Sequence, residues 1–288
     1  MIIGIDVGIS TTKIVGLDHR REIIAPICTK AIDPVTSLYG AFGKFLHDNK
    51  VALEDVEQVM LTGVGAGYIN GNIYGRPTIV VDEFRSNGLG ALHQVNLDRM
   101  IVVSMGTGTS LVQCDNGNIE RIGSFALGGG TLLGLARVML KTSDMTQIVD
   151  LASRGCLKNV DLEVGEISAQ PIPGLPMDIT ASLFGNAKAD AKPEDIALGI
   201  IWMVLQTIGS ATILSSLGSR IHDYVLIGNL SLLPQCKTLF PLMESIYGVR
   251  FHIPKYSEFS TAIGAALGYY DHQTTSEPSG TGTTTTPE

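Results

Sequence analysis

Cysteine is scarce in this chain and does not cluster. Cys28, Cys114, Cys156 and Cys236 are its four cysteines, and no two form a CxxC pair. The spacing therefore provides no zinc or cluster framework, and such sparse use fits buried thiols in a reducing compartment. Charged residues make up 17% and aromatics 6%. The 20 basic residues against 28 acidic leave a net charge of −8, which argues against a nucleic-acid partner. The six histidines (His19, His47, His93, His222, His252 and His272) include no HExxH or other ligand-spaced pair. There is no G-x-S-x-G elbow and no G-x-x-x-x-G-K-[ST] loop. These absences exclude an α/β-hydrolase nucleophile and a P-loop. The N-terminal run reaches Asp6 with neither a basic stretch nor a long apolar segment, so a cytoplasmic location is expected.

What is abundant is aliphatic residues and glycine. With 44% hydrophobic residues over 288 positions, the chain can bury a core without covalent staples, and it is long enough for two domains. Its 33 glycines imply tight turns and close backbone approaches. One stretch, Ile196 to Ser219, runs 24 residues without a charge, the length of a membrane span. It carries Gln206, Thr207, Ser210 and Thr212, and the block Lys192-Pro193-Glu194-Asp195 before it opens like a soluble helix. A buried central helix is expected there, and no membrane partner.

The order of elements is that of an α/β protein with mixed sheets. Apolar runs at Ile2–Ile5, Ile14–Leu17 and Glu22–Ile27 read as an antiparallel meander. A helix at Val35–Asp48, strands at Val56–Leu61 and Thr78–Val81, and a helix from Glu83 follow. A strand at Met100–Met105, a Gly/Thr turn and a strand at Leu111–Cys114 then repeat the opening about 100 residues later. Helices are expected at Thr131–Leu140, Asp144–Ser153, Glu194–Leu217, Pro234–Tyr247 and Ser260–Tyr270, with strands at Asp223–Ile227 and Val249–Ile253. This predicts two related α/β domains, 1–96 and 97–272. Residues 273–288 then form a Thr-rich tail too poor in apolar side chains to build a core.

Two turns carry the chemistry. Asp6 to Lys13 joins two strands through Gly8, Ser10, Thr11 and Thr12. Small residues let backbone amides approach an anion, hydroxyls add donors, Lys13 suits phosphate oxygens, and Asp6 suits Mg²⁺ or its water ligands. Gly106-Thr107-Gly108-Thr109-Ser110 repeats the design. Two phosphate-cradling turns in one chain suit phosphoryl transfer. Gly128-Gly129-Gly130 precedes a helix, where glycines serve either a ligand at the helix N-terminus or close packing.

With those residues in view, the chain resembles the acetate and sugar kinase, Hsp70 and actin superfamily, and within it the type II pantothenate kinases. The resemblance runs in order over residues 1 to 271. It rests on Gly4-Ile5-Asp6-Val7-Gly8, Leu61-Thr62-Gly63, the Gly106–Ser110 turn, Arg121-Ile122-Gly123 and Leu127–Leu133. The Pro171–Gly185 segment, with its Thr180-Ala181-Ser182-Leu183-Phe184-Gly185, completes it.

The resemblance implies two actin-like (ribonuclease H-like) domains with a nucleotide cleft between them. It implies ATP and Mg²⁺ as cofactors, pantothenate as substrate, 4′-phosphopantothenate as product and a homodimer. Glu83, at a strand-to-helix junction, matches the family's general base, with Asp82 beside it as the alternative. On residues alone, Glu83 equally suits a helix N-terminus that favours acid. Arg121 matches a substrate-side arginine, and Thr107 contacts both substrate and nucleotide. Gly129, Gly130, Thr131, Leu132 and Leu133 match nucleotide-contacting positions, as do Gly106, Gly108 and Thr109. Met145 stands where some members carry an aromatic beside the adenine, and Gly228-Asn229 replaces a Gly-Ser-type turn. The rival readings are a sugar or N-acetylhexosamine kinase and the ATPase activator of a radical dehydratase, both on the same fold.

Overall fold

The computed structural model describes residues 1–30 and 33–275. The expected tail lies, from residue 276 on, outside the described residues. In chain order the strands are β1 Ile2–Val7, β2 Thr11–Leu17, β3 Ile23–Lys30, β4 Gln58–Thr62, β5 Thr78–Val80, β6 Arg99–Met105, β7 Thr109–Asp115, β8 Asn118–Phe125, β9 Leu162–Glu163, β10 Thr180–Ser182, β11 Asp223–Ile227 and β12 Arg250–His252. The helices are α1 Pro34–Asn49, α2 Glu83–Gln94, α3 Gly129–Met139, α4 Met145–Ala152, α5 Val164–Ile167, α6 Pro193–Ser216, α7 Cys236–Tyr247 and α8 Ser260–Thr275. They fall into two compact units. One is Met1–Asp82 with the stretch returning from Ala262, and the other is Glu83–Thr261.

The first unit is built on a five-stranded sheet ordered β3-β2-β1-β4-β5. The first three strands form the antiparallel meander, and β4 and β5 continue it in parallel. Helix α1 begins at Asp33, whose carboxylate accepts from the Thr36 amide at 2.9 Å, with Pro34 in the first turn. Its apolar residues Leu38, Ala41, Phe42 and Phe45 recur at helical spacing, so they form one buried stripe in a core with Ile3, Ile5, Ile14 and Leu61. Gly4, between Ile3 and Ile5, points to the opposite face. A Cβ on Gly4 would collide with the Ala262 carbonyl, so the Ala/Gly-rich α8 lies almost against the strand.

The second unit carries a five-stranded sheet ordered β12-β11-β6-β7-β8. Strands β6, β7 and β8 are antiparallel, and β11 and β12 add in parallel. Both sheets thus have one topology, a three-stranded meander whose first strand is extended by two parallel strands. Both faces of β6 are buried along Met100–Val103, as that apolar run requires. Ile101 and Val103 meet Ile200, Val204 and Ile208 of α6, while Met100 and Val102 cluster with Ala91 of α2. The uncharged 24-residue run is therefore the core helix of this unit. It is long and apolar enough to cross a membrane, but most of its apolar window is buried in the protein.

Several details depart from the sequence expectation. Strand β2 starts at Thr11, because β-branched Thr11-Thr12 extend the pairing and leave only residues 8–10 as the turn. The sequence marks Asp115-Asn116-Gly117-Asn118 as a hairpin turn, and β8 returns from it antiparallel to β7. The extent of β8 is not marked, because this edge strand has Glu120, Arg121 and Ile122 exposed in succession and no clean alternation. The proline-rich segment is pinned by buried Asp161, which accepts from Thr180 Oγ1 and from the Phe184 amide, each at 2.9 Å. The thiols are not uniformly buried: Cys114 and Cys236 are, Cys28 and Cys156 are exposed, and none forms a disulfide.

Candidate functional site

In the second unit, three segments remote in sequence meet where β6 ends. The turn after Met105 is closed by the Gly106 amide donating to the Gly108 carbonyl at 2.9 Å. Onto it docks the start of α3: the Gly129 amide donates to Gly106 O at 2.8 Å and the Gly130 amide to Thr107 O at 2.9 Å. A Cβ on Gly128 would lie 2.7 Å from Thr107 O, so only glycine allows this approach. Thr109 secures the same junction, its hydroxyl donating to Leu127 O at 2.7 Å. The third segment is Gly228-Asn229 at the end of β11. Gly228 lies against Met105 O, and a Cβ on Gly129 would be 3.6 Å from Leu230 Cδ2. The C-terminal ends of parallel strands are where open α/β sheets bind ligands. Exposed Thr107 and Gly130 form the surface of this platform.

The Gly129 and Gly130 amides of the glycine triplet are both hydrogen-bonded to the turn. In the first turn of α3, Leu132 is buried, Leu133 is partly buried in the core and Thr131 donates to Ala126 O at 3.4 Å. Met145 opens α4, after the N-cap Asp144, and packs partly buried on the same core.

The first unit repeats the arrangement. Val7 ends β1, residues 8–10 turn, and the Gly8 amide donates to Thr11 O at 3.1 Å. Gly63 and Gly65, following β4, press on the end of β1, where a Cβ on either would be 2.8 Å from Val7 O. Register places Asp6 directly opposite Lys13. Burial pushes the Asp6 carboxyl above its ordinary range, with Lys13 partly offsetting this. A carboxylate so desolvated gains from a further cation, which fits the Mg²⁺ expected there. Among the described residues no group of three His, Cys, Asp or Glu could hold a metal ion, so such an ion would draw its other ligands from phosphates and water. Ser10 is exposed, whereas Thr12 is turned inward and fully buried.

The carboxylate and guanidinium singled out from sequence both lie in the second unit. Glu83 is the first residue of α2 and partly exposed, while Asp82 before it is exposed. Arg121 lies on β8, exposed, and donates through Nη2 to Ser124 Oγ at 3.2 Å. Its guanidinium carbon sits 4.3 Å from the ring centroid of Phe84, the residue next to Glu83. Sequence reasoning passed over Phe84, because its partner is distant in the chain.

A cavity of about 600 Å³ also opens in this unit, lined by Thr180 and Ala181, Trp202 and Gln206 of α6, and Met243 and Tyr247 of α7. Gln206 Oε1 is buried there without a hydrogen-bond partner. None of the residues singled out above as phosphate or acid–base candidates lines it.

Two α/β units of one topology, each with a glycine-rich turn at the end of its first strand, define the actin-like fold of ATPases and kinases. Solved structures of that fold match nearly the whole chain. The activator of the 2-hydroxyisocaproyl-CoA dehydratase from Clostridium difficile, with bound ADPNP, aligns over 99% of both chains at TM-score 0.69 and 17% identity. A ROK family glucokinase from Streptomyces griseus, with glucose and AMPPNP, aligns over 92% of this chain and 98% of its own at 0.51 and 13%. At such identities the likeness shows fold alone. Sequence goes further. The Fumble family model matches residues 88–235. The type II pantothenate kinase of Staphylococcus aureus strain USA300 is 30% identical over 276 residues, covering 92% of this chain and 98% of that enzyme. The chain belongs to the type II pantothenate kinase family.

Proposed function

We propose that this protein is an ATP-dependent pantothenate kinase, producing 4′-phosphopantothenate for coenzyme A synthesis. The observation that carries the reading is the full-length 30% identity to a type II pantothenate kinase. The fold neighbours bind nucleotide analogues, which supports ATP as the phosphoryl donor. The sugar-kinase and dehydratase-activator readings rest on fold alone.

In the proposed mechanism the turns at 8–10 and 106–108, with the strand starts that follow them, bind phosphate oxygens through amides and exposed hydroxyls. Lys13 adds positive charge to the first. The platform of Gly129–Leu133, Met145 and Gly228-Asn229 takes the rest of the nucleotide. Asp6 would hold Mg²⁺ directly or through water, and the ion would supply charge neutralisation for the transferring phosphoryl group. Glu83 accepts the proton of the pantothenate primary hydroxyl as its oxygen bonds to the γ-phosphorus and the bond to ADP breaks. Arg121 holds the substrate carboxylate through paired N–H donors. Family membership supports a cytoplasmic homodimer.

The test is ADP release with pantothenate or N-acetylglucosamine as acceptor. Pantothenate is expected to drive it and the sugar not; release with the sugar alone would replace this reading. Glu83→Gln is expected to lower kcat by about 10²–10⁴, with Asp82→Asn close to wild type. Equal losses in both would move the base from Glu83.

A further inference from the structure

Helix α2 crosses the edge strand β8 at two matched points. At one, Gly88 meets Ile119: a Cβ on Gly88 would be 2.6 Å from Ile119 Cγ2, so the missing side chain sets how close helix and strand come. At the other, one helical turn earlier and two strand residues later, Phe84 meets Arg121. Positions i and i−4 share a helix face, and i and i+2 share a strand face. The Gly88–Ile119 contact therefore delivers the Phe84 ring to the Arg121 side chain. The strand contributes as well. Leu111 pairs with Gly123 but Val112 pairs with Arg121, so Ile122 is an extra residue in β8. Such a bulge turns the neighbouring side chain to a new direction.

We propose that Phe84 is a positioning residue for Arg121. This rests on the reading of Arg121 as the anchor of the substrate carboxylate. An exposed arginine samples many rotamers, and fixing one on binding costs affinity. The Phe84 ring lies against the guanidinium at 4.3 Å and Ser124 Oγ accepts from Nη2 at 3.2 Å. The ring contact uses none of the N–H donors, so those not given to Ser124 remain for a carboxylate. Because Phe84 directly follows Glu83, the same turn of α2 that presents the base also orients the anchor. The phosphoryl acceptor and its carboxylate are thereby referenced to one short segment.

Two measurements test this. In steady-state kinetics, Phe84→Leu is expected to raise the pantothenate KM about three- to tenfold, leaving the ATP KM and kcat within about twofold of wild type. Phe84→Tyr, which keeps the ring, restores the pantothenate KM. In an Arg121→Met background, Phe84→Leu adds nothing further. Equal effects on both substrates, failure of the tyrosine variant, or additivity with Arg121→Met would overturn the proposal. The second measurement needs no turnover. The Arg121 Nε–Hε NMR signal should carry a ring-current shift in wild type and Phe84→Tyr that Phe84→Leu loses; an unshifted wild-type signal overturns the stacking itself. A wild type inert toward pantothenate, with the ring-current shift present, would remove the kinase reading and leave the Phe84–Arg121 pairing standing.

Discussion

The carbonyl of Met105 occupies the space a side chain on Gly228 would need: a Cβ there would lie 2.6 Å from Met105 O. Gly63 stands in the same relation to Val7 O in the other sheet, at 2.8 Å. Both glycines follow the parallel strand beside the first strand of the meander. Both have a backbone only glycine tolerates, φ 89° and ψ 175° at Gly228, φ 86° and ψ 162° at Gly63. The repeat that begins with two similar turns thus extends to the residues that buttress them.

Gly228→Ala is therefore expected to cost about 3–5 kcal/mol, because strain and overlap with backbone add. Gly248 has φ 66° but nothing within 4 Å of its would-be Cβ, so Gly248→Ala should cost only about 1 kcal/mol. Urea denaturation of the two variants measures the difference. Equal costs would mean that the approach to Met105 relaxes freely.

Much of this is legible in sequence, for identifiable reasons. Long apolar runs with clear punctuation, such as Asp223–Ile227 and the α6 run, show their strand and helix directly. The turns at Gly8–Ser10 and Gly106–Gly108 are visible because small residues interrupt apolar strands. The glycine triplet at 128–130 shows that something approaches closely, but not that the neighbour is the turn at 106–108. That depends on two carbonyls brought together by folding. The turn at 115–118 announces a hairpin, but the extent of strand β8 is hidden because an exposed, bulged edge strand has no burial to impose alternation. Phe84 is hidden because its partner lies on a strand elsewhere in the chain, and only the register of α2 on β8 pairs them.

The cysteines divide into two chemical classes. Burial pushes the thiols of Cys114 and Cys236 up to about 12. Only thiolate reacts with alkylating agents, so neither should label in the folded protein at pH 8. Cys28 and Cys156 are exposed and should label. Mass spectrometry after brief iodoacetamide treatment is expected to show two adducts on the native protein and four after denaturation. Rapid labelling of Cys114 in native protein would mean that β7 opens locally.

Asp6 links the candidate phosphate turn to stability. Its folded carboxyl is raised by burial above the ordinary value of 3.8, even against Lys13. A raised carboxyl means that the folded state binds the proton more tightly than the unfolded chain. The stability it contributes is then full below 3.8 and is lost as pH rises through the folded value. Asp6→Asn cannot titrate there. Whatever constant offset the substitution brings through the loss of Lys13's partner, the difference in Tm between variant and wild type should move in the variant's favour as pH rises from 3.5 to 7 (about 3 °C or more per kcal/mol gained). If Asp6 holds Mg²⁺ as proposed, the same variant should also lose Mg²⁺-dependent turnover. Thermal unfolding of both proteins across that pH range decides it: a difference that is flat, or that moves toward wild type, would mean that Asp6 is ionised in the folded protein as easily as in the unfolded chain, and that a cation there relieves no desolvation.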